Sequence, residues 1–332
     1  MNFTLETAII AALISFGLNI ILCPLLIPVL KRVKFGQNVR DDGPQTHLKK
    51  SGTPTMGGII IILSFLLGSV FFLQENTYGL LVVFATLGFG IIGFIDDYIK
   101  VVKKRSLGFR ALPKFLLQLV VTVVFLLLLQ WLTEGSDSAT NFAEFYLPFM
   151  GGRTIDTGIF FMPVAVFIML GTANGANFTD GLDGLASGVT VLIAVFFLFT
   201  AYATGVLGLL PISGAAAGSL LGFLLFNTYP ARVFMGDTGS LALGGFISAM
   251  AIILQLPLFL VIVAAVYVIE VLSVIIQVLY FKATGGKRFF KMAPIHHHFE
   301  MMGWPESKVV AYFYIFTVAM VLIGFLATRG IF

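Results

Sequence analysis

Ten long apolar segments occupy most of this chain, and they constrain its fold more than any other feature. Most approach the roughly 20 residues that a helix needs to cross about 30 Å of hydrocarbon. Lipid offers the backbone no hydrogen-bond partner, so a spanning segment forms a helix or joins a closed barrel. Barrel strands alternate in polarity, and these segments do not. They are residues 7–30, 56–73, 79–95, 115–132, 158–173, 185–202, 207–226, 241–256, 257–281 and 309–327.

The composition agrees with a membrane protein. Hydrophobic residues make up 58% of the chain and charged residues 11%, whereas about 25% charged is typical of soluble domains. The mean hydropathy is +1.02. We predict an all-α integral membrane protein with ten transmembrane helices, formed by one domain over residues 1–332.

The basic residues predict the orientation. With ten spans, eighteen of the 20 Lys and Arg residues fall in loops on one side, and only Arg153 and Arg329 fall on the other. Basic loops stay in the cytoplasm, so both termini are predicted to lie outside and the polar motifs inside. The formal charge of +4 then reflects topology, and we expect no nucleic-acid partner.

Acidic residues stand where the third span meets the cytoplasm, in FIDDYIK. An ionisable residue near hydrocarbon is costly and suggests a functional site. Asp96 and Asp97 are adjacent, and Lys100 lies four residues after Asp96. A helix-end ion pair, worth a few tenths of a kcal/mol, explains one Asp better than two. We favour a role with a metal or a phosphate.

A second polar group follows the fifth span, in NGANFTDGLDGL. Asn174, Asn177, Asp180 and Asp183 are spaced by three, and three glycines accompany them. The pattern predicts a partly unwound, Gly-rich turn whose amides and carboxylates converge on a polar ligand. The plain alternative is that Asp183 caps the next helix.

Asp237 stands in GDTGS, before the eighth apolar segment. It could cap that helix, and the helix start could bind phosphate. The spacing of a Walker loop is absent. Beside the other two clusters, Asp237 is a plausible ligand for Mg²⁺, which prefers carboxylates and substrate phosphates.

Three of the four histidines are adjacent, at 296–298 in APIHHHFE. Adjacent histidines seldom converge on one zinc ion, so we expect contact with phosphate or substrate instead. A partly solvated loop helix is the plain alternative. Glu270 and Gln277 share one face of the ninth span, and either a polar contact between helices or a ligand-facing role fits them.

The inner loops resemble those of the polyprenyl-phosphate N-acetylhexosamine-1-phosphate transferases. The HHH loop and the TPTMGG segment narrow the resemblance to the phospho-N-acetylmuramoyl-pentapeptide transferase group, and it extends over the whole chain. The segments that carry it are DDYIK, NGANFTDGLDGL, NTYPARVFMGDTGS, APIHHHFE and DDGPQTHLKKSGTPTMGG.

The resemblance implies a reaction. Phospho-MurNAc-pentapeptide would move from UDP-MurNAc-pentapeptide to undecaprenyl phosphate, giving lipid I and UMP in the bacterial inner membrane, with Mg²⁺ required and a homodimer suggested. It implies that Asp237 binds Mg²⁺, that Asp96 and Asp97 belong to the catalytic centre, and that His297 stands in an essential loop. The nucleoside pocket would comprise Lys50, Thr55, Asn177, Gly181, Leu182, Asp183, Phe234 and Gln277.

Six further residues stand in or beside the same motifs, and we take them as candidate substrate-binding residues. They are Lys100, Asn174, Asp180, Asn227, His296 and His298.

Two mechanistic questions stay open at this point. Asp96 could act as a base for the lipid phosphate, or it could position the metal. The second pKa of a phosphate monoester is about 6, so removing its proton would lower the barrier little at neutral pH. The lipid phosphate could attack directly, or an Asp could form a covalent phospho-intermediate.

Two rival functions remain. A related transferase could use UDP-N-acetylglucosamine, although the HHH loop argues against it. A secondary transporter would place its charges near the membrane midplane within repeated, broken helices. Here the acids stand at the inner ends of the spans, and no repeat is visible.

Overall fold

The computed structural model describes residues 3–32, 50, 52–102, 108–133 and 141–332. The DDGPQTHLKK part of the motif before Ser51 lies mostly outside them. The described chain is almost entirely helical, as predicted. Its helices are α1 Leu5–Arg32, α2 Gly58–Ser69, α3 Thr77–Val102, α4 Ala111–Thr133, α5 Phe161–Thr179, α6 Leu185–Ala203, α7 Leu209–Asn227, α8 Gly236–Ile253, α9 Leu260–Val263, α10 Ala265–Ala283, α11 Ile295–Glu300 and α12 Glu306–Ala327.

Nine helices in the described part of the chain are long and apolar enough to cross a membrane. The prediction of ten spans therefore differs at the second apolar segment. There the apolar helix is shorter, Gly58–Phe72, and its last turn, Val70–Phe72, is 3-10. The ninth apolar segment is also not one continuous helix. It begins with a 3-10 turn at Pro257–Phe259, and the non-helical Ala264 separates α9 from α10.

Three helices form the centre of the molecule. The apolar windows of α6, α7 and α8 are 72%, 83% and 89% buried, whereas those of α1, α4, α10 and α12 are 22% to 28% buried. The outer helices expose apolar side chains, as expected of surfaces that face lipid. The start of α8 is therefore shielded by protein on most sides.

Helices α3 and α8 approach closely beside the acidic residues. A side chain at Gly93 would overlap the backbone of Asp237 and Thr238. The missing side chain lets the end of α3 lie directly against the first turn of α8. This contact brings two acidic motifs, 140 residues apart in sequence, to one place.

A short hairpin is the one departure from an all-α fold in the described residues. Strand β1, Glu144–Tyr146, pairs antiparallel with β2, Thr154–Asp156. The N–H of Tyr146 donates to Gln255 just beyond α8, and the N–H of Phe149 donates to Ala327 at the end of α12. At about 1.5 Å per residue, the 18 residues of α8 separate the hairpin from the acidic motifs by roughly 27 Å.

Candidate active site

Carboxylates from α3 and from the turn after α5 bind the N-terminus of α8. Asp97 accepts hydrogen bonds from the N–H of Asp237 at 3.1 Å, the N–H of Thr238 at 2.9 Å and the Thr238 hydroxyl at 2.7 Å. Asp180 accepts one from the N–H of Gly236 at 3.1 Å. The first N–H groups of a helix lack partners within it, and the helix dipole favours negative charge there. Asp97 and Asp180 thus fix the turn that carries Asp237.

The helix-cap hypothesis for Asp237 is wrong. It lies in the first turn of α8, and no side chain from its own segment caps that helix. The capping groups come from α3 and from the turn after α5. The side chain of Asp237 is consequently available for other partners.

Two lysines bridge Asp96 and Asp237. Lys100 Nζ lies 2.8 Å from Asp96 Oδ2 and 3.0 Å from Asp237 Oδ2. Lys114 Nζ lies 2.6 Å from Asp237 Oδ2 and 3.5 Å from Asp96 Oδ2. The helix-end pair of Asp96 with Lys100 is therefore present, but it belongs to a four-membered charge cluster. The N–H of Phe109 donates to the other oxygen of Asp96.

Sequence reasoning did not single out Lys114. Its only signal is a lysine one turn inside an apolar helix, which a membrane-surface lysine would also show. Its position in the cluster depends on α4 packing beside α3 and α5, and no local pattern in the sequence reveals that.

The Asn/Asp motif after α5 behaves differently from the prediction of an unwound turn. Helix α5 continues to Thr179, so Asn174 and Asn177 are helical. Gly175 packs against Tyr267, so this glycine serves close helix packing and does not break the helix. Successive members spaced by three drift by about 60° around a helix, and the two amides therefore meet different partners.

The side-chain amides of Asn174 and Asn177 accordingly have different hydrogen-bond partners. Asn177 Nδ2 donates to Asp237 Oδ1 at 3.0 Å and to the Ser240 hydroxyl at 2.8 Å. Asn174 Nδ2 donates to Gln118 Oε1 on α4 at 2.9 Å. Asn177 thus joins the charge cluster, and Asn174 contacts the neighbouring helix.

Asp180 lies beside two other carboxylates. Burial is the main cause that raises the pKa of Asp180 well above its usual range, and the charges of Asp237 and Asp97 raise it further. The N–H of Gly236 opposes this shift. Asp180 therefore favours its protonated form more than an ordinary aspartate does.

A second charged group contains Lys50, Asp183 and Glu306. Lys50 Nζ lies 2.7 Å from Asp183 Oδ1 and 2.6 Å from Glu306 Oε1. Burial lowers the pKa of Lys50, but the hydrogen bonds and charges of the two carboxylates outweigh it and raise the pKa above its ordinary value. Lys50 is held as a cation. Glu306, at the start of α12, was not singled out from the sequence, where it resembles an ordinary acidic helix start.

Asp183 does not cap α6. Gly184 occupies the N-cap position with φ 81°, and no side chain caps the helix. Asp183 Oδ2 instead accepts the N–H of Ala231 at 2.9 Å, and the N–H of Asp183 donates to Glu306 at 2.7 Å. Asp183 thus ties the turn after α5 to the loop before α8.

Aromatic rings flank Lys50. Its Nζ lies 5.9 Å from the ring centroids of both Tyr229 and Phe234. The N–H of Phe234 donates to Pro54 at 2.8 Å, which places the buried Thr55 beside the loop before α8. A cation beside two aromatic rings suits a planar anionic ligand such as a nucleotide.

The three histidines on α11 point to different partners. His296 Nδ1 lies 3.0 Å from Glu270 Oε2, and both side chains are buried. His297 Nδ1 lies 2.7 Å from Glu300 Oε2, and His298 Nδ1 accepts the N–H of Lys291 at 3.0 Å. Among the described residues no group of three or more His, Cys, Asp or Glu could hold a metal ion, so these contacts do not support the zinc reading.

The remaining candidates occupy several positions. Gly181 packs against the imidazole of His296, and Leu182 is buried. Asn227 accepts from Ser187 and donates to the carbonyl of Val233, both at 3.0 Å, so it holds the end of α7. Gln277 accepts the N–H groups of Phe289 and Phe290. Glu270 makes a contact between helices, which was one of its two predicted roles.

Comparison with known proteins identifies the family. The profile of glycosyl transferase family 4 matches residues 79–255, and a phospho-N-acetylmuramoyl-pentapeptide-transferase signature matches residues 50–62.

Curated relatives cover nearly the whole chain. The phospho-N-acetylmuramoyl-pentapeptide-transferase of Acetivibrio thermocellus is 49% identical over 331 residues, 99% of this chain and 98% of the relative. Those of Clostridium botulinum (strain Alaska E43 / Type E3) and Clostridioides difficile are each 48% identical, over 97% and 95% of this chain and 96% of each relative. The chain therefore belongs to the phospho-N-acetylmuramoyl-pentapeptide transferases of glycosyl transferase family 4, multi-pass membrane enzymes that form lipid I in bacterial peptidoglycan synthesis.

Proposed function

We propose that transfer takes place at the start of α8, between Asp96, Asp237, Lys100 and Lys114. The donor is UDP-MurNAc-pentapeptide, the acceptor is undecaprenyl phosphate, and the products are lipid I and UMP. The observation that carries this proposal is the four-membered cluster of two carboxylates and two lysines at the end of a buried helix. Transfer between a water-soluble nucleotide and a lipid phosphate requires a site at the membrane surface, where the acidic motifs are predicted to lie.

The lysines serve the anionic substrates. Lys100 and Lys114 pair with Asp96 and Asp237, and the two lysine side chains keep 32% and 17% exposure. A diphosphate that enters the cluster can accept hydrogen bonds from both ammonium groups. Fixed cations aimed at developing charge are a major source of rate enhancement in phosphoryl transfer.

The cluster also fits Mg²⁺. This ion is usually bound through one or two carboxylates together with substrate phosphates and water. Asp237 Oδ2 and Asp96 Oδ2 face the same two lysines, so both present oxygens to one place. We assign Asp237 as the principal Mg²⁺ ligand. When bound, Mg²⁺ would neutralise charge on the diphosphate.

We favour direct attack by the lipid phosphate. An oxygen of undecaprenyl phosphate bonds to the β-phosphorus, the bond from that phosphorus to the bridging oxygen breaks, and UMP leaves with the electron pair. Each oxygen of Asp97 already accepts a hydrogen bond from α8. These hydrogen bonds hold the Asp97 carboxylate against α8, and this arrangement favours positioning over a covalent phospho-intermediate on Asp97.

The nucleotide portion of the donor would bind at a separate position. Lys50, Thr55, Asp183 and Phe234 lie together, with Glu306 completing the charge balance, and we propose this group as part of the nucleoside pocket. His296 would hold α11 against Gly181 and Leu182, next to the pocket. His297 stands on the same short helix and would contact the sugar phosphate.

Asp96→Asn separates positioning from base catalysis. If Asp96 positions the lysines and metal, the variant stays equally impaired from acidic to alkaline pH, and this is the expected result. If Asp96 acts as a base, its rate rises steeply around the second pKa of the lipid phosphate, about 6. A pH–rate profile that approaches wild type above neutrality would contradict the positioning role.

A comparison of two donor substrates tests which of the related transferase reactions this protein catalyses. We expect purified protein with undecaprenyl phosphate and Mg²⁺ to release UMP from UDP-MurNAc-pentapeptide and not from UDP-N-acetylglucosamine. The histidine loop and the pentapeptide-transferase signature at residues 50–62 support this choice. Comparable UMP release from both donors would contradict it.

We also propose the orientation and assembly. Residues 1–332 act as one domain in the inner membrane, the site faces the cytoplasm, both termini lie outside, and two copies form a homodimer. The short α2 completes a tenth crossing in this scheme. The uneven distribution of Lys and Arg supports the orientation, and the homodimer rests on the family resemblance alone.

Thiol labelling tests this orientation. In a Cys23→Ser background, which removes the single cysteine, Lys287→Cys should react with an impermeant reagent only after the cells are opened. Arg153→Cys should react in intact cells. The reverse pattern would overturn the orientation.

A further inference from the structure

A cluster of cations near the site has no role in the reaction above. We call residues 282–291, the end of α10 and the first part of the segment that leads to α11, the basic loop. Lys282, Lys287, Arg288 and Lys291 are all exposed. No salt bridge joins any of them to a carboxylate of the described chain. Within the part of the chain that the structure describes, four cations in ten residues thus have no carboxylate partner, and they form a strongly positive surface.

The basic loop is folded. Gln277 Oε1 accepts the N–H groups of Phe289 at 3.2 Å and Phe290 at 2.9 Å. The rings of Tyr280 and Phe289 pack edge to face at 5.5 Å. Arg288 donates to the carbonyl of Lys291 at 3.2 Å. The cations are therefore presented on a defined backbone.

The basic loop continues the lipid-facing surface of α10. Leu279 is 62% exposed near the end of that helix, and Phe281 and Phe289 are 47% and 58% exposed. Tyr280, at the end of α10, is 38% exposed, and Tyr is enriched at the level of the lipid headgroups. In the proposed orientation the four cations therefore lie at headgroup level, whereas Lys50, Lys100 and Lys114 belong to the charged groups of the site.

The basic loop also contacts the histidine helix. The N–H of Lys291 donates to His298 Nδ1 at 3.0 Å, and Lys291 Nζ donates to the carbonyl of Met301 at 3.1 Å. The rings of Phe290 and His298 lie 5.7 Å apart. A ligand that fixes the position of the basic loop therefore also fixes the position of α11, which carries His296 and His297.

We propose that the basic loop binds the headgroups of anionic phospholipids in the surrounding leaflet, and that this binding supports the active position of α11. The proposal rests on the proposed function for the orientation of the chain and the role of α11. Basic segments next to a spanning helix are attracted to anionic lipids, with about a fivefold change in binding per cation. Removing two cations should therefore weaken the attraction roughly 25-fold.

The test compares two double variants in nanodiscs. Lys287→Gln/Arg288→Gln removes two charges from the basic loop. Lys31→Gln/Arg32→Gln removes two exposed charges from the last turn of α1, on the same predicted side, and is the matched control. Each protein is placed in phosphatidylcholine alone and in a mixture with phosphatidylglycerol. Retained phosphatidylglycerol is measured by native mass spectrometry, and UMP release is measured in parallel.

We expect wild type and control to retain phosphatidylglycerol and to turn over faster in the mixture. The loop variant should lose both effects and keep the wild-type rate in phosphatidylcholine. Three results would overturn the proposal: equal loss in the control, no lipid preference in wild type, or a raised KM for the nucleotide in phosphatidylcholine alone. The last would assign the basic loop to the soluble substrate. Failure of the proposed function would appear separately, as no UMP release by wild type in any lipid.

Discussion

Asp237→Asn lowers kcat by about 10²–10³-fold, the usual cost of losing one electrostatic contact to the transition state. The amide keeps the shape of the side chain but removes the charge that balances Lys100 and Lys114. It is also a weaker ligand for a hard cation. The protein should still insert and fold, because the backbone of Asp237, which binds Asp97, is unchanged.

The control for this prediction is Asp156→Asn, an exposed aspartate of the hairpin on the far end of the helices. Its rate should match wild type. UMP release at saturating substrate and ordinary Mg²⁺ is the measurement. A near-normal rate for Asp237→Asn would mean that Asp237 does not contribute charge to the reaction.

We expect the second large effect from Asp97→Ala, which should lower both the thermal stability of the protein and its turnover rate. Three donors at the start of α8, two of them buried and one partly buried, lose their acceptor. Each orphaned donor costs about 1–3 kcal/mol, so we expect a markedly lower Tm and almost no turnover. Asp97→Asn keeps one acceptor oxygen and should unfold between wild type and the alanine variant.

Thermal unfolding in detergent checks this order, with Asp156→Ala as the matched loss of an exposed aspartate. If Asp97→Ala unfolds at the wild-type temperature, Asp97 does not hold the start of α8. A normal Tm with lost turnover would instead make Asp97 a residue that contacts substrate or metal.

Hydropathy predicted most of the fold because lipid imposes one solution on a long apolar segment. It was less accurate at the second segment, where the helix is only Gly58–Phe72. It could not predict the break at Ala264, since residues 257–266 around it are all apolar. Such breaks depend on packing between helices.

The acidic motifs were predicted as one site, and Asp96, Asp97, Asp180 and Asp237 do lie together. The separate roles of these four aspartates were not predictable, because Asp97 and Asp180 cap a helix that is far away in sequence. Asn174 was grouped with Asn177 by spacing alone, and helix rotation separates them. The sequence around Lys114 and Glu306 does not mark either residue as functional, since the role of each depends on partners on other helices.

One measurement tests the central claim most directly. UDP-MurNAc-pentapeptide labelled with ³²P in the phosphate next to the sugar is given to the purified protein with undecaprenyl phosphate and Mg²⁺. The account predicts that the label moves to the lipid product and that unlabelled UMP appears in equal amount. Label in free phosphate or in the nucleotide product, or no UMP at all, would contradict phospho-sugar transfer at this site.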